Sequence, residues 1–250
     1  MKHSRLTVFP FGLWMVLFTL IPLGMVVWFA FTDESGAFSL DNIREIGQYL
    51  PSFWYSIWVG ALSTFFCLIL AYPLAYSISR TGARVQRTMV MIVMLPMWMN
   101  SLLRITALKS IIDDNGLLNR LLEAIGLSPV KLVGTTAAIV LGMVYDFLPF
   151  MILPLYSVMT KIDNRTIEAA QDLGSNSLQV LGRVILPLSV PGILSGITMV
   201  FVPSVSTFVV ATLLGNGGVT TPLMIGEIIE FLFKGSAPAY YNMGAALSLV

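Results

Sequence analysis

Charged residues, cysteine and histidine are all scarce in this chain. Only 11% of its 250 residues are Asp, Glu, Lys or Arg, against roughly 25% in soluble domains, while 56% are apolar. That balance excludes an ordinary soluble domain and points to a polytopic membrane protein. A formal net charge of +1 supplies no basic surface, so no nucleic-acid partner is expected. The single cysteine, Cys67, rules out a disulfide within the chain and lies inside an apolar run, where packing is its expected role. The single histidine, His3, sits in a terminal tail, and one His with one Cys cannot supply a His/Cys metal site. Missing too are a GxxxxGK[ST] phosphate loop, an HExxH pair, a GxSxG elbow and any histidine within a span. The expectation is a chain with no catalytic residues, no metal ligands and no nucleotide site of its own.

Long apolar runs are what the chain has instead. After a basic head with Lys2 and Arg5, an uncharged run from Leu6 to Thr32 is too long for a signal-peptide core and has no small-residue cleavage pattern. It reads as an uncleaved first span in contact with the lipid bilayer. A polar, mostly acidic stretch from Asp33 to Pro51 leads to a second span over Phe53 to Ser79, with Pro73 near its end. A short connection, Ser79 to Thr88, carries Arg80, Arg84 and Arg87. The third apolar stretch, Met89 to Leu103, contains Pro96 and is expected to continue past Arg104 as a helix leaving the bilayer. Arg104 to Lys131 then reads as an amphipathic surface segment broken at Asn115-Gly116, Gly126 and Ser128-Pro129.

A fourth span covers Val133 to Thr160, and a fifth covers Val190 to Leu214 with Pro203 inside it. Gly215 to Ala239 is a glycine-rich connection holding Glu227, Glu230 and Lys234. The apolar run that begins near Tyr241 stops at Val250, too short to cross about 30 Å of hydrocarbon. The expected fold is therefore all-α and polytopic, with about six transmembrane helices and the last one truncated at Val250.

Orientation is read from the basic loops. With the N-terminus in the cytoplasm, eight cations (Lys2, Arg5, Arg80, Arg84, Arg87, Lys161, Arg165, Arg183) face only three acids there. The outer segments, with Arg104 counted among them, hold six cations against nine acids. The triple-arginine loop is the strongest vote for this arrangement.

The polar stretch from Lys161 to Ile193 organises the rest. Asp163 or Asn164 can cap a helix from about Arg165 to Leu173, and Gly174 can stop it in a left-handed conformation. A second helical piece starts at Ser177, and Pro187 and Pro191 are expected to bend the chain as it returns to the membrane. Glu168-Ala169-Ala170, then Asp172-Leu173-Gly174, then Leu186-Pro187 and Pro191-Gly192 resemble the EAA loop of ABC importer permeases, the MetI-like superfamily. The resemblance implies a MetI-like ABC type I importer fold whose loop docks on a cytoplasmic ATPase. Glu168, Ala169, Ala170, Asp172, Leu173, Gly174, Pro187, Pro191 and Gly192 are the coupling candidates. It also implies a boundary near Pro51: residues 1–50 as an added tail, span and outer loop, and 51–250 as the conserved transmembrane domain.

Further stretches resemble one branch, the permeases of spermidine/putrescine importers. They are Leu95 to Arg104, Asp114 to Asn119, Tyr145 to Tyr156 and Phe208 to Gly218. That likeness implies a heteromeric complex in a bacterial inner membrane. It would contain a second, homologous permease, an ABC ATPase dimer carrying ATP and Mg, and an extracytoplasmic polyamine-binding protein.

Candidates for the substrate path are Tyr145, Asp146, Ser204, Thr207 and Phe208. Asp146 is the one acid within an apolar span. It reads either as a site met by a cationic substrate or as a structural carboxylate paired with an arginine, a helix end or a backbone amide. The hydroxyls near Pro203 either line a pore or bond back to their own helix. The fourteen methionines show no recurrent spacing for a metal path. An ABC permease for another small solute is the alternative, and an ion-driven secondary transporter, which usually shows inverted repeats, a more distant one.

Overall fold

The structure, a computed structural model, describes residues 10–33, 35–215, 221–235 and 237–249. The basic head with Lys2, His3 and Arg5, the acid Glu34, and Asn216-Gly217-Gly218 of the resembling stretch lie outside the described residues. The described residues are overwhelmingly helical, and the chain forms two compact units, Met1–Phe53 with Ile225–Val250, and Trp54–Met224.

In the first unit, helix α1 (Pro10–Ala30) is the first span. Trp14, Phe18 and Trp28 are all more than half exposed and only Ala30 is buried, as expected for a helix bathed in lipid. Helical turns at Asp41–Glu45 and Ile46–Tyr49 occupy the acidic stretch read from sequence as an outer connection. Ala30 packs on Ala245 and Ala246, with Ile43 and Ile46 closing the cluster.

Helix α2 (Leu50–Ser79) keeps Pro73 inside it. The expected arginine connection is shorter than Ser79 to Thr88: helix α3 (Ala83–Met94) already includes Arg84 and Arg87, and a 3-10 turn at Leu95–Trp98 comes next. The third span does not run on through Arg104. It breaks at Met99-Asn100 and turns by 94° into α4 (Ser101–Ile112), because the Asn100 side chain accepts from Leu102 N at 2.8 Å and starts a new helix. Helix α5 (Leu117–Ala124) completes the amphipathic segment.

Helix α6 (Thr136–Met159) is capped by Thr135 and carries Pro149 and Pro154 without interruption. Beyond α7 (Asn164–Asp172), a single helix α8 spans Ser177–Ser206. No break occurs at Pro187 or Pro191. Instead Leu181–Ile185 winds as a π turn, a wider turn that accommodates the nearby proline, which has no N–H to give. The fifth span also ends earlier than Leu214. It stops at Ser206, and Thr207-Phe208 separate it from α9 (Val209–Leu214). Two short helices, α10 (Ile225–Lys234) and α11 (Pro238–Ser248), fill the region expected to be a glycine-rich connection and the start of a sixth span.

Four described helices are long and apolar enough to cross a membrane, or five if the bent α3–α4 pair counts as one span. The expected sixth corresponds to α11, whose 11 residues fall short of that length.

Small residues decide how closely these helices approach. Along the Leu186–Ser206 part of α8 the buried set is Ser189, Gly192, Gly196, Val200 and Ser204, a narrow seam of mostly small residues. A Cβ on Gly192 would sit 3.1 Å from Pro154 O and Val158, and one on Gly196 would meet Met151 Sδ at 2.5 Å. The core between α2, α4, α6, α8 and α9 is methionine-rich, with Met143, Met151, Leu155 and Met159 fully covered.

Candidate functional site

The 161–193 loop is built by two complementary end-caps. Asp163 caps α7, its Oδ1 accepting from Arg165 N at 3.0 Å. Gly174 leaves the helix at φ +85°, and the chain closes the end with Gly174 N donating to Gln171 O at 2.8 Å and Ser175 N to Ala170 O at 3.1 Å. That pair of bonds is the Schellman pattern, which needs a left-handed residue at this position. Two residues later Asn176 starts α8. Its Oδ1 accepts from Gln179 N while Asn176 N donates to Gln179 Oε1, a reciprocal capping box. The corner from Leu173 to Gln179 is thus held by its own hydrogen bonds.

Glu168, Ala169, Asp172, Leu173 and Gly174 share one exposed surface, and Ala170 is half-buried against Ile162, Val180 and Ile185. Pro187 and Pro191 lie further along α8, exposed, and Gly192 is in the seam with α6. Leu173 is 88% exposed and Leu178 78%. Two apolar side chains standing free on a polar corner, each beside a rigid cap, form a small hydrophobic contact feature.

The loop is tied to the spans by Arg80, one of the three arginines of the basic connection, and by a tyrosine–serine bond. Arg80, at the end of α2, donates from Nη1 to Ile162 O at 3.0 Å and to Asn164 Oδ1 at 2.5 Å, and from Nη2 to Met159 O at 3.2 Å. Its guanidinium also stands 5.3 Å from the Tyr76 ring centroid. One side chain thereby closes the C-terminus of α6 and meets the N-terminus of α7. Asn164, the other capping candidate, turns its side chain to Arg80 instead. Tyr72 and Ser189 share a 3.0 Å hydrogen bond between α2 and α8. Behind the corner, a cavity of about 340 Å³ lies among Tyr72, Tyr76, Gln171, Leu178 and Leu181.

Asp146 and Arg104 form a buried ion pair, Oδ1 to Nη2 at 2.5 Å, with side chains 8% and 5% exposed. This corrects the placement of Arg104 in an outer surface segment: the 94° bend turns it into the interior against α6. The Nε and Nη1 of Arg104 have no hydrogen-bond partner among the described residues. Next to Asp146, Tyr145 is 44% exposed on the outside of α6. Ser204 is fully buried with its hydroxyl unpartnered among the described residues, whereas Ser206 bonds back to Val202 O. Thr207 is extended at the end of α8, and Phe208, beside it, is 40% exposed. Of the path candidates only Tyr145 and Asp146, and separately Ser204, Thr207 and Phe208, are neighbours along the chain.

Residues 6–250 match the family described as binding-protein-dependent transport system inner membrane component. The chain belongs to that family. Among similar proteins, this permease is 36% identical to the spermidine/putrescine transport system permease protein PotB of Haemophilus influenzae, over 99% of this chain and 88% of the relative. It is 34% identical to the protein of the same name from Escherichia coli, over 94% of this chain and 88% of that one. The fold is also that of a chain in the crystal structure of a bacterial alginate ABC transporter in complex with an alginate pentasaccharide-bound periplasmic protein. The TM-score is 0.82 at 19% identity, covering 99% of this chain and 88% of that chain.

Two features of the permease escaped sequence reasoning for different reasons. The Asn176–Gln179 capping box has a local signature and was legible in principle. The Arg80 clamp joins residues some eighty positions apart, and no local pattern announces it.

Proposed function

We propose that this chain is one permease subunit of an ATP-driven polyamine importer, coupled to its ATPase through the α7–α8 corner. The observation that carries the coupling is the locked corner with Leu173 and Leu178 uncovered, clamped to α2 and α6 by Arg80. The substrate class is supported by the relatives at 34–36% identity, which carry the name spermidine/putrescine permease.

In this reading the N-terminus and the α7–α8 corner face the cytoplasm, in keeping with the excess of basic residues on that side. A polyamine-binding protein delivers its load from outside, and ATP with Mg closes a partner ATPase dimer. A second homologous permease supplies the other half of the path. Glu168, Ala169, Ala170, Asp172, Leu173 and Gly174 make the contact that moves with the ATPase. Arg80 and the Tyr72–Ser189 bond pass that movement to α2, α6 and α8. Tyr145, Asp146, Ser204, Thr207 and Phe208 are the residues proposed to meet or gate the solute.

The test is a mild-detergent isolation of the tagged permease with its partners, then reconstitution into vesicles. Co-isolation of an ABC ATPase and a second permease is expected, with ATP-dependent spermidine and putrescine uptake that requires the binding protein. Uptake sustained by an ion gradient without ATP would overturn the coupling. ATP-driven uptake of another solute, with none of polyamines, would overturn the substrate class.

A further inference from the structure

Helix α5, which follows the bent segment, is fixed at its start, its middle and its end. At the start, buried Gly116 lies so close to α4 that a Cβ there would sit 2.5 Å from Ile111 O. In the middle, Asn119 is only 2% exposed. Its side-chain amide donates to Asp113 O, Asp114 O and Val130 O at 3.2, 3.1 and 3.1 Å, and its Oδ1 accepts from Val130 N at 2.8 Å. At the end, Gly126 takes φ +79°, with Gly126 N donating to Glu123 O at 3.0 Å and Leu127 N to Leu122 O at 2.9 Å. That is a Schellman stop. A helix pinned in this way cannot roll, so the face it leaves uncovered is set by the fold.

The uncovered face is aliphatic. Leu117, Leu121 and Ile125 are 57%, 56% and 71% exposed, and at about 100° per residue they share one sector about 80° wide. Leu118 borders that sector on one side and packs on the core. Arg120, exposed, borders it on the other, and the exposed Glu123 points to the far side of the helix.

Two further observations identify what covers this face. The first is continuity. The stripe begins against the end of α4, where Ile111 is exposed, and Leu103 is exposed further back on that helix. The exposed hydroxyls of α4 turn back to their own backbone, Thr106 Oγ1 to Leu102 O at 2.8 Å and Ser110 Oγ to Thr106 O at 3.0 Å, an arrangement suited to a surface without water. The second is the tether. Residues 113–116 join α5 to the bent segment, and residues 125–135 join it to the span α6. With the chain on either side held by the membrane and Asn119 tying both connections together, α5 stays at the bilayer surface.

We propose that α5 is an interfacial helix whose partner is the lipid surface. Leu117, Leu121 and Ile125 dip into the boundary between headgroups and acyl chains, and Arg120 reaches back to lipid phosphates. A docking protein fits this face less well, because the stripe offers neither the aromatic rings nor the hydrogen-bonding groups that reversible protein contacts use. Lipid needs neither. The contact anchors the bent segment that carries Arg104 against Asp146. The inference rests on the membrane placement of the spans, and on neither the solute nor the coupling to an ATPase.

The experiment is fluorescence quenching on the permease–ATPase complex in nanodiscs of phosphatidylethanolamine and phosphatidylglycerol. Leu121→Cys, Ile125→Cys and Glu123→Cys each carry an environment-sensitive dye, in a complex otherwise free of cysteine. Leu117→Cys stands in for either stripe variant that does not assemble. Lipid spin-labelled near the headgroup end of its acyl chain should quench the dyes at 121 and 125 about threefold more than the dye at 123, and aqueous iodide should give the reverse order. Adding the extracytoplasmic binding protein should leave both patterns unchanged. Equal quenching at all three positions overturns the proposal. So does a dye at 121 that is shielded from iodide without being quenched by lipid, or one that loses lipid quenching when the binding protein is added, since either marks a protein cover. A complex that imports polyamines while position 121 is open to iodide removes this inference alone.

Discussion

Arg104 and Asp146 pose the sharpest question at the scale of single residues. Each is a charge taken out of water, tolerable only because the other is 2.5 Å away. Arg104→Met should therefore destabilise the complex by about 3–5 kcal/mol, since it strands a buried carboxylate. The double variant Arg104→Met/Asp146→Leu should recover most of that loss, read as the thermal unfolding midpoint in detergent. Uptake then separates the two roles of Asp146. A stable double variant that transports normally makes the pair structural, and a stable one that does not transport puts the carboxylate on the path. Gly174 poses a backbone question instead. At φ +85° a side chain costs about 1–2 kcal/mol, so Gly174→Asp should abolish uptake at equal expression. Normal uptake by that variant would sink the coupling role. Replacing both Leu173 and Leu178 by Ser should leave the unfolding midpoint unchanged, because both are exposed, yet reduce co-isolation of the ATPase. A lowered midpoint with full co-isolation would show that they serve the fold.

Among the elements, the contact of α6 with α8 depends on absent side chains more than present ones. Gly196 opposes the flexible end of Met151, while Gly192 opposes the backbone oxygen of Pro154 and the branched Val158. A methionine can swing aside and a helix backbone cannot. Gly192→Ala should thus cost more than Gly196→Ala, within the range of about 1–3 kcal/mol for overpacking. Equal costs in thermal unfolding would mean that the seam adjusts as a whole. Gly142 plays the same part for α9, where a Cβ would collide with Leu214 and Val210. The prolines are tolerated for a related reason. Pro73, Pro149, Pro154, Pro191 and Pro203 all sit inside continuous helices. Each leaves free the carbonyl four residues before it, which neighbouring helices, hydroxyls or a local change of winding can satisfy. The actual breaks fall at Asn100 and at Thr207-Phe208, without a proline at either position.

For the whole molecule, composition alone established a helical membrane protein, because backbone groups in hydrocarbon must be satisfied within each span. The long apolar runs located the cores of four spans, and the 161–193 pattern marked the corner, its stop at Gly174 and its likeness to importer permeases. Those features are local: hydropathy, caps and left-handed glycines act over a few residues. Tertiary structure decided what depends on distant partners. It turned Arg104 inward to meet Asp146 and used Arg80 to clamp the ends of α6 and α7. Each of those outcomes joins residues tens of positions apart, and burial sets its energy by choosing which charges and amides lose water. A linear pattern carries the propensity of a segment, while the choice of buried neighbours belongs to the packed chain.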